Sequence, residues 1–225
     1  MTASVTNLKV IVTGATGMVG EGVMLECVEN PGVEEVLLVN RRPYGALPPK
    51  VKECIVPDFM HLDAAADRLR GCDACFFCAG VSSVGKSEAD YTRITWDTTL
   101  HFAETLVKLN AGMVFTYVSG MGTDSTEKGR LMWARVKGRT ENALTRVGFR
   151  AEYNFRPGFM KAMPGQRNLK GSYKALAWLY PVVRAVAPNS VSTLEDVGRA
   201  MIRCVTQGYP KQILEVRDIN ALGKA

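Results

Sequence analysis

No apolar run in this sequence approaches the roughly 20 residues that a bilayer-spanning helix needs, and no run of like charge or low-complexity tract interrupts it. Its start, Met1-Thr2-Ala3-Ser4, carries no basic stretch of the secretory-leader kind. A membrane bundle, a disordered tail and a disulfide-stapled secreted module are thereby set aside, and a reducing cytoplasm is the expected compartment. The longest apolar stretch, from Tyr173 to Val186, is broken by Pro181 and Arg184. It fits intramolecular packing best, with a lid, a homodimer contact or a weak membrane-surface contact through residues 173–186 as the other readings. The net charge of +6 over 225 residues is spread along the chain, which suits a small anionic ligand such as a phosphorylated cofactor and gives little ground for nucleic acid or membrane. With 47% hydrophobic and 22% charged residues, the composition is that of one globular domain.

Metal-ligand patterns are equally scarce. The six cysteines include Cys72-x-x-Cys75-x-x-Cys78, but that spacing lies within Gly71 to Gly80, which reads as a buried strand. On a strand, a spacing of three sends neighbours to opposite faces. Buried small-residue packing is therefore expected there, and no metal site.

What is present is a glycine cluster, Thr13-Gly14-Ala15-Thr16-Gly17-Met18-Val19-Gly20, placed between an apolar strand pattern (Leu8 to Val12) and a helical pattern carrying Val19, Val23, Met24, Cys27 and Val28 on one face. The chemistry needs glycine there to turn sharply, to bring backbone N–H groups close to a pyrophosphate and to pack helix on strand. The helix N-terminus then receives the phosphates. A dinucleotide-binding site is expected, with Gly14, Thr16, Gly17, Met18 and Val19 at the cofactor. The second strand, Val36 to Val39, ends in Asn40-Arg41-Arg42. An NAD-specific site carries an acidic side chain about 20 residues beyond the glycines; here stand two guanidiniums able to grip a 2′-phosphate. NADP(H) is expected over NAD(H).

Further strands are read at Val51–Val56, in the cysteine-rich stretch, at Met113–Val118 and at Ala151–Phe155, with a last short one at Ile213–Val216. Helices are read at His61–Arg70, Glu88–Asn110, Gly129–Arg146 and from Thr193-Leu194-Glu195-Asp196 to Thr206. Alternation of this kind demands parallel pairing and right-handed crossovers: an α/β, doubly wound parallel sheet (Rossmann fold) with helices on both faces and a small C-terminal helical appendage. Residues 1–158 form the nucleotide-binding core, and 159–225 a substrate, lid or interface segment completing the same domain. Ligands bind at the carboxyl ends of such strands. Asp58 and Phe59 are placed there at the adenine, with Asp58 equally readable as a helix cap, and Cys78, Ala79 and Gly80 beneath the nicotinamide ribose. His101 reads as a core or interface residue.

Taken in order, these segments resemble the short-chain dehydrogenase/reductase superfamily over nearly the whole chain. The resemblance is strongest to its atypical, extended-type, NAD-dependent epimerase/dehydratase-like members and to the Tat-interacting-protein oxidoreductase branch. Val118-Ser119-Gly120, Trp133-Ala134-Arg135-Val136-Lys137-Gly138 and Phe155-Arg156-Pro157-Gly158 complete the match. The resemblance implies cofactor contacts from Lys137, Arg156, Pro157 and Gly158, and a catalytic Ser, Tyr and Lys. Ser119 and Lys137 match; the tyrosine position, four residues before Lys137, holds Trp133. An indole N–H donates a hydrogen bond but moves no proton at neutral pH, so Tyr91, Tyr117 and Tyr153 are the candidates to replace it. The implied activity is hydride transfer to a small, unidentified organic acceptor. An NADP(H)-binding regulator or scaffold without turnover is the alternative, and a nucleotide-sugar epimerase or dehydratase a weaker one.

Overall fold

The computed structural model describes residues 7–169, 171, 173 and 177–225; part of the apolar stretch singled out above, residues 174–176, lies outside them. Short apolar runs form β1 (Leu8–Thr13), β2 (Val33–Asn40), β3 (Val51–Ile55), β4 (Ala74–Phe77), β5 (Val114–Val118) and β6 (Ala151–Arg156). Two three-residue strands, β7 (Phe159–Lys161) and β8 (Val191–Thr193), pair with each other, and β9 (Ile213–Glu215) returns beside β6. The main sheet has seven strands in the order β3-β2-β1-β4-β5-β6-β9, every pair parallel. The order reverses direction at β1, so the carboxyl ends of β1 and β4 diverge and open the crevice that such sheets use for ligands.

Among the described residues the helices with assigned bounds are, in chain order, α1 (Met18–Glu29), α2 (Ala66–Leu69), α3 (Glu88–Thr92), α4 (Thr98–Leu109), α5 (Met132–Leu144), α6 (Tyr180–Val186), α7 (Leu194–Thr206) and α8 (Val216–Lys224). Period-two alternation on the strands divides the interior into two cores. Val10, Val12, Ala74 and Phe76 face Val23 and Met24 of α1 and Val197 and Met201 of α7. Ile11, Cys75, Phe77 and Phe115 face Phe102 and Leu106 of α4 and Leu144 of α5. Buried on both faces, these strands read as continuous apolar runs.

Three local details depart from the sequence pattern. The helix expected over Glu88–Asn110 is interrupted by a π-helical turn, Arg93–Asp97, where the Thr98 hydroxyl donates to the carbonyl of Arg93, five residues back, at 3.0 Å. The helix expected over His61–Arg70 is only a 3₁₀ turn (Asp63–Ala65) plus α2, because Asp58 ties the preceding residues into a turn by accepting from Met60 N at 2.9 Å. Cys72 lies before β4 starts, so strand alternation does not reach it. It shares a core with Cys75, while Cys78 packs on the other side. All six cysteines are free, and among the described residues no group of three metal-ligating side chains gathers. At the start of α7, the Thr193 hydroxyl accepts from Asp196 N at 3.0 Å, as its sequence spacing predicts.

Candidate cofactor cleft and active site

At the end of β1 the fully buried Thr13 accepts through Oγ1 from Cys78 N (3.1 Å) and Ala79 N (3.0 Å), fastening the ends of β1 and β4 together. Gly14 follows at φ +71°, and a Cβ there would stand 2.8 Å from the Ala79 backbone. Glycine is required on both counts. Gly20 lies so close to the backbone of Gly14 and Thr13 that a side chain there would force α1 off the turn. No side chain caps α1. Its first N–H groups, together with the positive end of its dipole, point into the cleft as an anion site.

The cleft holds about 950 Å³, within the range of cofactor sites. Of the residues predicted from sequence, Gly14, Thr16, Gly17, Met18, Val19, Arg41, Arg42, Phe59, Cys78, Ala79, Gly80, Ser119, Lys137 and Pro157 line it. Asn40, at the end of β2, is buried: Oδ1 accepts from Ala15 N (3.2 Å) and Nδ2 donates to Glu53 Oε1 (3.2 Å), which also accepts from Tyr44 N (2.8 Å). Asn40 is therefore a brace between β2, β3 and the glycine turn. Arg41 and Arg42 beyond it are exposed, and neither guanidinium has an ion-pair or hydrogen-bond partner among the described residues. Asp58 is outside the cleft; it faces an adjoining hollow and closes a local turn by accepting from Met60 N, and since the 3₁₀ turn that follows has Leu62 at its N-cap, Asp58 does not cap a helix either.

Four expectations at the nicotinamide end are corrected. Arg156 does not reach the cleft: its guanidinium is buried and turned inward, donating to Glu141 (Nε to Oε1 3.0 Å, Nη2 to Oε2 2.5 Å), to Glu215 (3.1 Å) and to the Ser125 hydroxyl (2.5 Å). An arginine in a buried pair stays there because leaving Glu141 uncompensated is costly. Gly158 is likewise absent from the cleft wall; it lies against the backbone of Ser190, where β7 meets the approach to β8. Trp133 does not line the cleft either. It is half-buried, with its ring edge against the Gly122 loop. Nor do the candidate tyrosines replace it: Tyr91, Tyr117 and Tyr153 are all buried in the interior and absent from the cleft wall, and burial raises the first two phenols.

Ser119 does line the cleft, but its hydroxyl is directed inward. It donates to Glu141 Oε1 at 2.5 Å and lies 3.1 Å from Phe155 O, and the residue is 5% exposed. Its single proton is thus committed. Lys137 Nζ donates to the Ser119 carbonyl, and burial pushes its ammonium down to about 8 against the opposing pull of the Glu141 carboxylate. Burial pushes the Cys78 thiol up to about 12. Lys137 is therefore the cleft-lining group whose protonation changes nearest neutrality.

One component had no signal in the sequence. Glu21, in the first turn of α1, is fully buried and accepts from Tyr44 Oη (2.9 Å), Arg167 N (3.0 Å) and Asn168 N (2.8 Å). Gln166 Nε2 donates to Met18 O at 2.7 Å. The segment after β7 is thereby strapped across the start of α1, beside the cleft. A glutamate facing a helical apolar stripe looks solvated until the partner amides, some 146 residues away in sequence, are located.

Comparison with known proteins is consistent with this geometry. The NAD dependent epimerase/dehydratase family model matches residues 10–126, the half of the chain that holds the glycine turn, Arg41, Arg42 and Ser119. Among solved structures the chain is similar to ADP-L-glycero-D-manno-heptose-6-epimerase of Helicobacter pylori (TM-score 0.68, 15% identity, covering 100% of this chain and 82% of that one). It is also similar to WbmF of Bordetella bronchiseptica in complex with NAD+ (0.65, 17%, 99% and 79%). A third is a protein of Agrobacterium tumefaciens with bound NADP (0.63, 17%, 93% and 94%). At these identities the likeness concerns the fold.

Proposed function

Because the chain belongs to the NAD-dependent epimerase/dehydratase family, we propose that it is an NADP(H)-dependent oxidoreductase that passes hydride to a small organic acceptor. The observation that carries this reading is the pair of exposed guanidiniums, Arg41 and Arg42, without partners among the described residues, at the mouth of a cleft whose floor is a glycine turn and a helix N-terminus. Among the solved relatives, one carries NAD+ and another NADP, so the family likeness leaves the choice to these two side chains. Bound there, the nicotinamide supplies the hydride. The chain's own part is placement and one proton. The start of α1 and Gly14 receive the pyrophosphate, Arg41 and Arg42 the 2′-phosphate, and Lys137 faces the acceptor.

Without a tyrosine at residue 133, Lys137 is the proton donor of this reading, and Ser119 is a positioning residue. Its hydroxyl is locked to Glu141, and its carbonyl holds the Lys137 ammonium. An acceptor that needs little acid assistance, such as a flavin, a quinone or a conjugated carbonyl, suits such a site. Placement in the Tat-interacting-protein branch rests on the sequence segments alone. The test is NADPH oxidation against a panel of such acceptors. Turnover lost in Lys137→Ala, with thermal melting unchanged, supports the assignment, and full turnover in that variant contradicts it. Acquisition of ordinary ketone reduction by Trp133→Tyr would point to a site shaped for tyrosine chemistry.

A further inference from the structure

The 3₁₀ turn Ala177–Leu179 runs directly into α6, and the two faces of this short helix differ in kind. Inward, Tyr180 is buried; its ring packs 6.2 Å from that of Phe159, and the Lys161 ammonium lies 5.9 Å from its centroid. Outward, Trp178, Val182 and Val186 are 70%, 56% and 82% exposed, with exposed Pro181 and Ala185 between them. Spacings of three and four residues put all five on one side of a helix. A contiguous apolar stripe that faces solvent marks a contact surface.

In sequence the segment around it is one-sidedly basic, and in space one carboxylate, Asp196 of α7, shares a hollow with Tyr180 and Arg184. From Phe159 to Leu194 there is no acidic residue, while Lys161, Arg167, Lys170, Lys174 and Arg184 are basic. This segment alone carries five of the chain's net +6 charges, so the remainder is close to neutral. No single run concentrates the charge, which is why it appears spread along the sequence. Lys161, Arg167 and Arg184 are exposed.

We propose that the stripe of Trp178, Val182 and Val186, flanked by Lys161 and Arg184, seats the protein on an anionic lipid bilayer surface. A bilayer with acidic headgroups offers hydrocarbon for the stripe and negative charge for its flanks in one plane. Tryptophan is the side chain that settles at headgroup depth. A second copy of this chain is disfavoured. A two-fold contact sets the same patch against itself, and here it would set Lys161 and Arg184 against their own copies, with the mostly buried Asp196 offering little to either. The helix is too short to cross the bilayer, so the contact is peripheral. Through residues 162–168, Lys161 at the edge of this face is joined to the strap on Glu21.

Co-sedimentation of the full chain with vesicles tests this. Expected is binding to phosphatidylcholine vesicles containing phosphatidylserine that is on the order of tenfold stronger than to phosphatidylcholine alone, and that weakens as salt is raised. Trp178→Ser/Val182→Ser/Val186→Ser removes only exposed side chains, so it should melt like the parent and lose the binding. Lys161→Gln/Arg184→Gln should retain weak, salt-insensitive binding. Equal affinity for both vesicle types, binding that survives the triple substitution, or no binding at all overturns the proposal. So does a dimer in sedimentation velocity that the triple substitution converts to monomer. None of these outcomes depends on the cofactor assignment, which is read separately by nucleotide titration.

Discussion

Arg41 and Arg42 owe their availability to Asn40. With its amide consumed by Ala15 N and Glu53, Asn40 fixes the end of β2 and leaves the next two side chains at the cleft mouth without internal partners among the described residues. A guanidinium on a phosphate is a charge-assisted, two-pronged contact worth about 1.5–3 kcal/mol. Arg41→Ala/Arg42→Ala should therefore weaken NADPH binding by about 10- to 100-fold and barely alter NADH binding, as isothermal titration would show. Lys137 makes a separate prediction. Its ammonium is held near 8 by burial, with Glu141 opposing that shift. The protonated form is the donor, so the rate of acceptor reduction should be level below pH 8 and fall as pH rises through it. Replacing Lys137 by methionine should remove that inflection and lower kcat by about 10²-fold, the low end of a general acid's effect because such an acceptor needs little acid assistance.

At the scale of elements, α1 carries two tasks, and different residues serve each. Its amino end meets the ligand because Gly14 and Gly20 let the turn close. Gly14→Ala would put a Cβ both at φ +71° and within 2.8 Å of Ala79. Loss of nucleotide binding together with a lowered Tm is the expected result. The same helix also holds the strap through Glu21. Glu21→Gln replaces one acceptor oxygen by an NH₂ facing either Asn168 N or Tyr44 Oη together with Arg167 N, leaving a buried donor unmatched at about 1–3 kcal/mol. That corresponds to a fall of about 2–4 °C in Tm per kcal/mol for a chain of this size, and limited proteolysis should cut first near residues 165–168. Elements were readable in the sequence wherever their signal is local. The glycine turn, the run into β2 and the Thr193 cap each fall within a few residues of where the pattern puts them. The π-helical turn at Arg93–Asp97 and the strap do not have such a signal. The first consists of the Thr98 N–H and hydroxyl both reaching back five residues to the Arg93 carbonyl, and the second depends on a carboxylate meeting amides across the fold.

For the whole molecule, the parallel sheet and its crevice were legible because alternation of strand and helix admits few topologies. The side-chain network behind the crevice was not. Arg156 lies on a strand end, like the cleft residues, and only the position of Glu141 on α5 shows that it turns inward. Trp133 likewise occupies a catalytic position by spacing and a packing position in space. The same interior holds Glu152, whose carboxyl is pushed up to about 9 by burial, reinforced by the charge of Glu141. Between its ordinary 4.5 and about 9, the folded chain holds a proton there that the unfolded chain has released. This group therefore makes stability fall as pH rises across that window. Glu152→Gln should flatten the decline, a difference that denaturant melts of the two proteins at pH 5 and pH 8 would reveal. The central claim is the identity of the cofactor, and calorimetric titration of the intact protein with NADPH and with NADH tests it most directly: tight NADPH and at least about tenfold weaker NADH is the predicted result, whereas equal affinity for the two, or heat from neither, would contradict it.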